Sequence, residues 1–164
     1  LPINHFAIDI NNAPNIRSEG FITLATNCTA LQSLQVDNCP GVTDEVLKAI
    51  ATHNHSIHTL LLRWDPNFDF DDGRMMTRLT DEGIKALVEA RKEGLQWLSL
   101  PQGVTDLGVR LVVENCPTTK QLEIWSNLIT DEGCRPIMQL RHIAILYFAP
   151  PAKSNYFFLL FIRN

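Results

Sequence analysis

Short segments with apolar residues at every second or third position recur along this chain. The clearest copies are Leu31/Leu34/Val36, Ile57/Leu60/Leu62, Leu95/Leu98/Leu100 and Leu122/Ile124, with Ile8 and Ile10 as an earlier copy. Alternation of apolar and polar residues near the end of each segment predicts a half-buried strand. One more strand is predicted at Ile143-Ala144-Ile145, so we expect about six strands in all.

A second pattern follows most of these segments and predicts a helix. It reads Val42-Thr43-Asp44-Glu45-Val46, Leu79-Thr80-Asp81-Glu82-Gly83, Val104-Thr105-Asp106-Leu107-Gly108 and Ile129-Thr130-Asp131-Glu132-Gly133. A threonine hydroxyl can cap the exposed N–H groups of a helix start, and acidic residues favour the positive end of the helix dipole. Apolar residues at helical spacing come next, and a proline, glycine or small polar group then ends the helix. We therefore expect about five strand–helix units.

The spacing of the threonines identifies the repeat class. Successive copies lie 37, 25 and 25 residues apart, so the period is near 25 and one unit is expanded by about a dozen residues. A fixed period of roughly 20–29 residues is typical of leucine-rich repeats. Because no single unit can bury its own apolar face, the units must stack. The sequence thus predicts an α/β fold, a right-handed leucine-rich-repeat solenoid with a curved parallel sheet on the concave face and helices on the convex face.

The same spacing gives the domain organisation. Residues 1–148 form the predicted repeat array, and the expansion at 65–78 is expected to be a surface loop outside the ladder of strands. Residues 149–164 break the pattern, with Pro150-Pro151 followed by a short apolar run. This tail could cover the last repeat as a cap, be a β-prone adhesive segment, or be foreign to the repeat family. Since the chain starts with Leu1, we expect a fragment that begins inside the array.

One stretch carries a family resemblance. Residues 31–45, from Leu31 through Cys39-Pro40-Gly41 to Thr43-Asp44-Glu45, resemble the cysteine-containing leucine-rich repeats of the F-box and mitotic-exit-antagonist families. The resemblance extends over roughly residues 5–148. It implies a protein-recognition role, most commonly substrate recognition for ubiquitin ligation.

Charge and cysteine usage narrow the class of partner. The net charge is −4 without a basic run, which argues against a nucleic-acid partner because phosphate binding needs clustered Lys and Arg. The apolar run of the tail is too short for a membrane span of ~20 helical residues.

Cys28, Cys39, Cys116 and Cys134 fall in different repeats without metal-ligand spacing. They predict reduced thiols and an intracellular protein, cytoplasmic or nuclear.

Candidate chemistry is sparse. The acidic insertion at 65–78 fails the calcium-loop spacing, because Phe70 or Asp72 falls at the glycine position and Met76 or Arg78 at the glutamate position. His53, His55 and His58 fit a helix end better than a metal site. No phosphate loop, nucleophile elbow or carboxylate pair appears. We predict no metal, no cofactor, no small-molecule substrate and no enzyme activity, although an enzyme that uses the insertion is a third hypothesis.

Function is expected on the outward face of the sheet. The predicted partner-binding residues are Gln35, Asp37, Leu61, Arg63, Trp64, Trp97, Ser99, Glu123 and Trp125. Tryptophan is enriched at interface hot spots. Trp97 and Trp125 are expected on one patch, diagonal to each other, with Arg63 and Glu123 beside them. The leading hypothesis is a non-enzymatic module that binds a protein partner on the concave sheet, with ubiquitin-ligase substrate recognition as the setting that the resemblance implies. The alternative is a leucine-rich-repeat sensor or scaffold fragment of a larger signalling receptor.

Overall fold

The apolar segments form one sheet whose strands follow one another in chain order. The computed structural model describes residues 6–64, 79–148 and 158–160. The strands are β1 (Phe6–Asn11), β2 (Leu31–Asp37), β3 (Thr59–Arg63), β4 (Trp97–Leu100), β5 (Gln121–Ile124), β6 (Ile145–Phe148) and β7 (Phe158–Leu160). Strands β1 to β6 pair in parallel, and β7 joins β6 in antiparallel orientation. An α/β class with a parallel sheet and alternating helices is therefore confirmed.

A helix follows each of the first five strands. The helices are α1 (Ser18–Asn27), α2 (Asp44–His53), α3 (Asp81–Arg91), α4 (Asp106–Asn115) and α5 (Asp131–Cys134). The last helix is short and continues as a 3-10 segment over Arg135–Gln139. Proline explains the change, because Pro136 has no N–H to bond to the carbonyl four residues earlier.

Equivalent leucines of neighbouring strands lie side by side. Leu34, Leu60, Leu98 and Leu122 are aligned by the pairing of β2 to β5, and all are fully buried. Helix residues such as Leu87 belong to the same core cluster. Each helix contacts the helix of the next unit. Sheet and helices thus share one core that runs along the array.

A hydrogen-bonded clamp joins consecutive units at the helix starts. The carboxylate of Asp81 accepts from the Thr105 N–H at 2.9 Å and from the Thr105 hydroxyl at 2.6 Å. Asp44 binds Thr80 in the same way, and Asp106 binds Thr130. The aspartate expected to act on its own helix dipole therefore also reaches the next unit. The clamp from Asp44 to Thr80 joins the two helix starts that lie on either side of the insertion in the sequence.

The clamp explains why glycine recurs three residues after the threonine in three of the units. A Cβ atom at Gly83, Gly108 or Gly133 would come too close to the clamping carboxylate of the preceding unit. Only glycine leaves room for the aspartate at this point. The threonines act as helix caps only in part: the hydroxyls of Thr80 and Thr105 accept from N–H groups of their helices, whereas Thr43 shows no side-chain cap bond.

Asp81→Ala is expected to lower the free energy of unfolding by about 1–2 kcal/mol, since two hydrogen bonds to a partly exposed carboxylate are lost. Asp131→Ala is the matched control. Asp131 holds the same position in the last unit, and no hydrogen bond from it to a following unit is seen within the described residues. Urea denaturation of both variants measures the difference. Equal losses would show that the aspartate acts only on its own helix.

The clamp also has a pH dependence. The hydroxyl and the N–H of Thr130 hold the pKa of Asp106 below its usual value of 3.8. A carboxyl whose folded-state pKa is depressed stabilises the fold above its unfolded pKa. That contribution is lost as the pH falls through the folded-state pKa.

Two of the four cysteines hold equivalent positions. Cys28 directly follows the last residue of α1, and Cys116 directly follows the last residue of α4. All four thiols are free. Cys39 is buried and its Sγ lies 3.3 Å from the Asp37 carbonyl oxygen, so it helps to close the end of β2. Burial raises the pKa of the Cys116 thiol to about 12.

Two predictions concern parts of the chain with little description. The insertion at 65–78 lies outside the described residues, and so does most of the tail. Three tail residues form β7 and pair with β6, so part of the tail does cover the last parallel strand. The sixth strand begins at Ile145 instead of Ile143, and Ile143 is buried just before the strand.

Candidate functional site

The sheet presents a second face, away from the core, which we call the outer face. It is formed by the alternate residues Asp9, Asn11, Ser33, Gln35, Asp37, Thr59, Leu61, Arg63, Trp97, Ser99, Gln121 and Glu123, with Pro101 and Trp125 just beyond strands β4 and β5. Strand pairing arranges them in rows. One row runs through Ser33, Thr59, Trp97 and Gln121, and another joins Asn11, Asp37 and Arg63.

An ion pair lies in the middle of the outer face. Arg63 at the end of β3 donates from Nε to Glu123 Oε2 at 2.7 Å and from Nη2 to Oε1 at 2.8 Å. Two further groups donate to the same carboxylate: Gln121 Nε2 to Oε1 at 2.7 Å and Trp125 Nε1 to Oε2 at 3.2 Å. Each oxygen of Glu123 thus accepts two hydrogen bonds. The residue is 5% exposed, and both of its carboxylate oxygens are paired.

Strand β4 lies between the two partners, and a small residue lets the pair form. Ser99 is aligned with Glu123 on β5. Its hydroxyl donates to the Leu62 carbonyl at 2.9 Å and also accepts from the Leu62 N–H. The serine side chain therefore bonds to the backbone of β3 just beyond the point where the pairing of β3 with β4 ends, at Leu60 and Leu98. Because serine is short, it leaves space above β4 for the arginine.

The electrostatics of the pair are balanced by hydrogen bonds. Burial would raise the pKa of Glu123, but the hydrogen bond and charge of Arg63, together with Trp125 and Gln121, outweigh it and hold the pKa below 4.5. The hydrogen bond to Glu123 raises the pKa of Arg63 against the opposing effect of burial. Both groups are charged at neutral pH and fix each other's position.

Asp37 is the less satisfied carboxylate of the outer face. Its Oδ2 accepts from Gln35 Nε2 at 3.1 Å, whereas Oδ1 is buried with no hydrogen-bond partner among the described residues. Burial raises the pKa of Asp37, although Gln35 and the charge of Arg63 act in the opposite direction. Within the described residues, the carboxylate of Glu123 is therefore fully hydrogen-bonded, whereas one oxygen of the Asp37 carboxylate is not.

The aromatic residues flank the ion pair. Trp97 is 46% exposed, a large exposure for an indole. It is aligned with Gln121, so Trp125 lies four residues farther along the neighbouring strand direction. Four residues of strand span about 13 Å. The prediction that the two indoles sit diagonally adjacent is therefore wrong; strand geometry places them on opposite sides of Glu123, and Trp125 bonds to it.

Several predicted partner-binding residues are not accessible. Trp64 is 7% exposed and belongs to the hydrophobic core, because the alternation that turns Leu60 and Leu62 inward continues to the next alternate residue. Leu61 and Ser99 point outward but are buried. Of the predicted set, Gln35, Asp37, Arg63, Trp97 and Trp125 keep exposed surface. Sequence reasoning missed Gln121 as a functional residue; its place two residues before Glu123 on the same strand face was the available signal.

The described residues include no group of three or more histidine, cysteine or acidic side chains that could hold a metal ion. His55 Nδ1 lies 2.9 Å from Arg91 Nη2, and His58 Nδ1 lies 3.0 Å from the hydroxyl of its neighbour Thr59.

Among the helices in the described ranges, none has the length and apolar character needed to cross a membrane.

Comparison with known proteins bears on the fold alone. No protein-family profile matches the chain. A solved structure described as Leiomodin-1 Actin-Binding Site 2 is similar, with a TM-score of 0.55 and 15% sequence identity. The match covers 82% of this chain and 77% of that chain. At this identity the likeness shows a shared arrangement of strands and helices.

Proposed function

We propose that the chain is a leucine-rich-repeat solenoid of the cysteine-containing subfamily, with the outer face as its concave surface. Three observations support this assignment. The strands follow one another in parallel with a period near 25 residues except across the insertion at 65–78, the same clamp joins three successive pairs of units, and Cys39 occupies a buried position after β2.

We also propose that the chain is a non-enzymatic module that binds a protein partner on the outer face. The observation that carries this proposal is the juxtaposition of an exposed Trp97 with the bidentate Arg63–Glu123 pair. A rigid polar centre needs little ordering when a partner binds. A half-exposed indole beside it offers a large apolar contact, and tryptophan is enriched among hot spots.

The biological setting is a finer proposal. We infer substrate recognition for a ubiquitin ligase, supported by the resemblance of residues 31–45 to F-box-family repeats. A sensor or scaffold segment of a larger signalling receptor is the second candidate. The similar solved structure is described as an actin-binding site, which supports a protein as the partner of this chain. Four free thiols support an intracellular, reducing location.

Affinity capture with matched variants tests the binding face. Immobilised wild-type chain, Trp97→Ala and Met138→Ala are compared for the proteins that each retains from a cell lysate. Met138 is 72% exposed and lies in the 3-10 segment of the helical layer, so it controls for loss of exposed apolar surface. We expect Trp97→Ala to weaken the binding of a specific partner by about 2 kcal/mol or more, whereas Met138→Ala leaves it unchanged.

The identity of the captured protein separates the two settings. A ubiquitin-ligase substrate that is retained through Trp97 supports the first, and a component of a signalling receptor supports the second. Retention of every specific partner by Trp97→Ala, with loss in Met138→Ala, would move the binding site to the helical layer.

A further inference from the structure

The charges of the outer face are unbalanced. Among the described residues, this face carries the carboxylates of Asp9, Asp37 and Glu123 but a single cation, Arg63. The other described lysine and arginine residues lie on the helices or in the connecting segments. The net charge of the chain, −4, has the same sign as the excess on the outer face.

Arg63 is already committed to one of the three carboxylates. Its Nε and Nη2 both donate to Glu123. The charge of Arg63 also attracts Asp37 and Asp9, but within the described part of the chain neither of them forms an ion pair. Asp37 accepts only from Gln35, and its Oδ1 has no hydrogen-bond partner there. The fold therefore leaves two carboxylates of this face without a cation of their own.

The two carboxylates are neighbours. Asp9 is aligned with Gln35, which lies two residues before Asp37 on the same face. With strands ~4.8 Å apart and ~6.6 Å between alternate residues, the Cα atoms of Asp9 and Asp37 are about 8 Å apart. Burial raises the pKa of Asp37, and the negative charge of Asp9 adds to this effect. Asp9 is exposed and Asp37 is partly exposed, so a cation from outside can approach both.

The exposed Trp97 lies at a distance from these carboxylates that an extended peptide can span. Its partner on β3 is Thr59, and Arg63, four residues farther along β3, is aligned with Asp37. A step of two strands and four residues corresponds to about 16 Å between the Cα atoms of Trp97 and Asp37. An extended chain covers ~13 Å in four residues, and side chains four residues apart point to the same side. The long side chain of lysine or arginine bridges the remainder.

We propose that the outer face binds a basic segment of the protein partner in extended conformation. This segment places a lysine or arginine beside Asp9 and Asp37 and a large apolar side chain, four residues away, against Trp97. The inference rests on the outer face being the binding surface and adds the chemistry of the partner. The negative charge of the face also attracts such a segment before contact.

A library of random dodecapeptides displayed on phage tests this inference with the full chain as bait. Peptides selected on the wild type should carry a lysine or arginine four residues from a large apolar residue. Selection on Asp37→Asn should lose the basic residue and keep the apolar one. Glu89→Gln removes an exposed carboxylate on α3 and is the matched control, which should select the same peptides as the wild type.

A double-variant cycle then measures the contact by fluorescence anisotropy. Asp37→Asn should weaken the binding of a selected peptide by about fivefold at low salt and by less at high salt. Replacing the basic residue of the peptide by glutamine should weaken binding to the wild type by the same factor and leave binding to Asp37→Asn almost unchanged. Asp9→Asn, a change at an exposed side chain, takes the place of Asp37→Asn if that variant does not fold.

The outcomes separate the basic segment from the binding face. Selected peptides that need Trp97 but carry no basic residue, or that bind the aspartate variant as tightly as the wild type, would overturn the basic segment and leave the binding face intact. Peptides that bind Trp97→Ala as tightly as the wild type, or a library that yields no binder, would contradict the binding face and the basic segment with it.

Discussion

Leu98→Ala is expected to lower the free energy of unfolding by about 2–5 kcal/mol. Leu98 is fully buried and lies between Leu60 and Leu122, whose strands hold it from both sides. Because strand pairing fixes these neighbours, the cavity left by the lost side-chain atoms cannot close easily. A loss of this size is a large part of the stability of a typical domain.

Chemical denaturation with a second leucine variant makes this result decisive. Leu107→Ala removes the same atoms from a residue that is 47% exposed at the start of α4. We expect a change within about 0.5 kcal/mol for that variant. Similar losses for both leucines would mean that the aligned leucines are not the core of the array.

The second large effect concerns the ion pair of the outer face. Arg63→Met keeps much of the side-chain volume but leaves Glu123 buried with two neutral donors. Breaking a buried pair in this way is expected to lower the free energy of unfolding by about 2–4 kcal/mol, a value reduced because the Arg63 side chain is 26% exposed. The double variant Arg63→Met/Glu123→Gln should recover a substantial part of that loss, since no unpaired charge remains.

The pKa of Glu123 determines how the stability loss in Arg63→Met changes with pH. In the wild type the pKa of Glu123 is lowered, so the pair stabilises the fold above pH 4.5 and the contribution fades as the pH falls through the folded-state pKa. In Arg63→Met, burial acts with much less opposition and the pKa should rise. The stability difference between the two proteins is therefore largest at neutral pH and shrinks in acid.

An exposed ion pair serves as the control for this experiment. Lys48 and Glu45 lie 2.8 Å apart on α2, with side chains 49% and 67% exposed. Exposed pairs contribute little because water and salt screen them, so Lys48→Met should change stability only slightly. If Arg63→Met were as mild as Lys48→Met at neutral pH, the pair would not be a structural centre of the outer face.

Local periodicity predicted the strands and helices because each unit repeats the same burial requirement. The alternation around Leu34 and Leu98 and the helical spacing after Thr43 and Thr105 are local signals, and the structure follows them. The unit-to-unit clamp was not predicted. A threonine–aspartate pair at a helix start has a sufficient local explanation as a cap, and the contact to the next unit is visible only after the units are stacked.

The outer face was harder to predict because its contacts join distant positions. Arg63 and Glu123 are 60 residues apart, so no local pattern connects them. Trp64 is predicted on the surface because it directly follows a strand, but it lies two residues after the buried Leu62, so the strand alternation places the indole in the core. The relative position of Trp97 and Trp125 depends on strand register, and counting from the aligned leucines Leu98 and Leu122 places Trp125 four positions beyond the partner of Trp97.

Hydroxyl-radical footprinting of the chain with its captured partner tests the central claim most directly. Trp97 and Met138 are both exposed and oxidise readily, and they lie in the sheet and the helical layer respectively. If the partner binds the outer face, its addition should protect Trp97 strongly and leave the oxidation of Met138 unchanged. Protection of Met138 with undiminished oxidation of Trp97 would contradict the proposed binding surface.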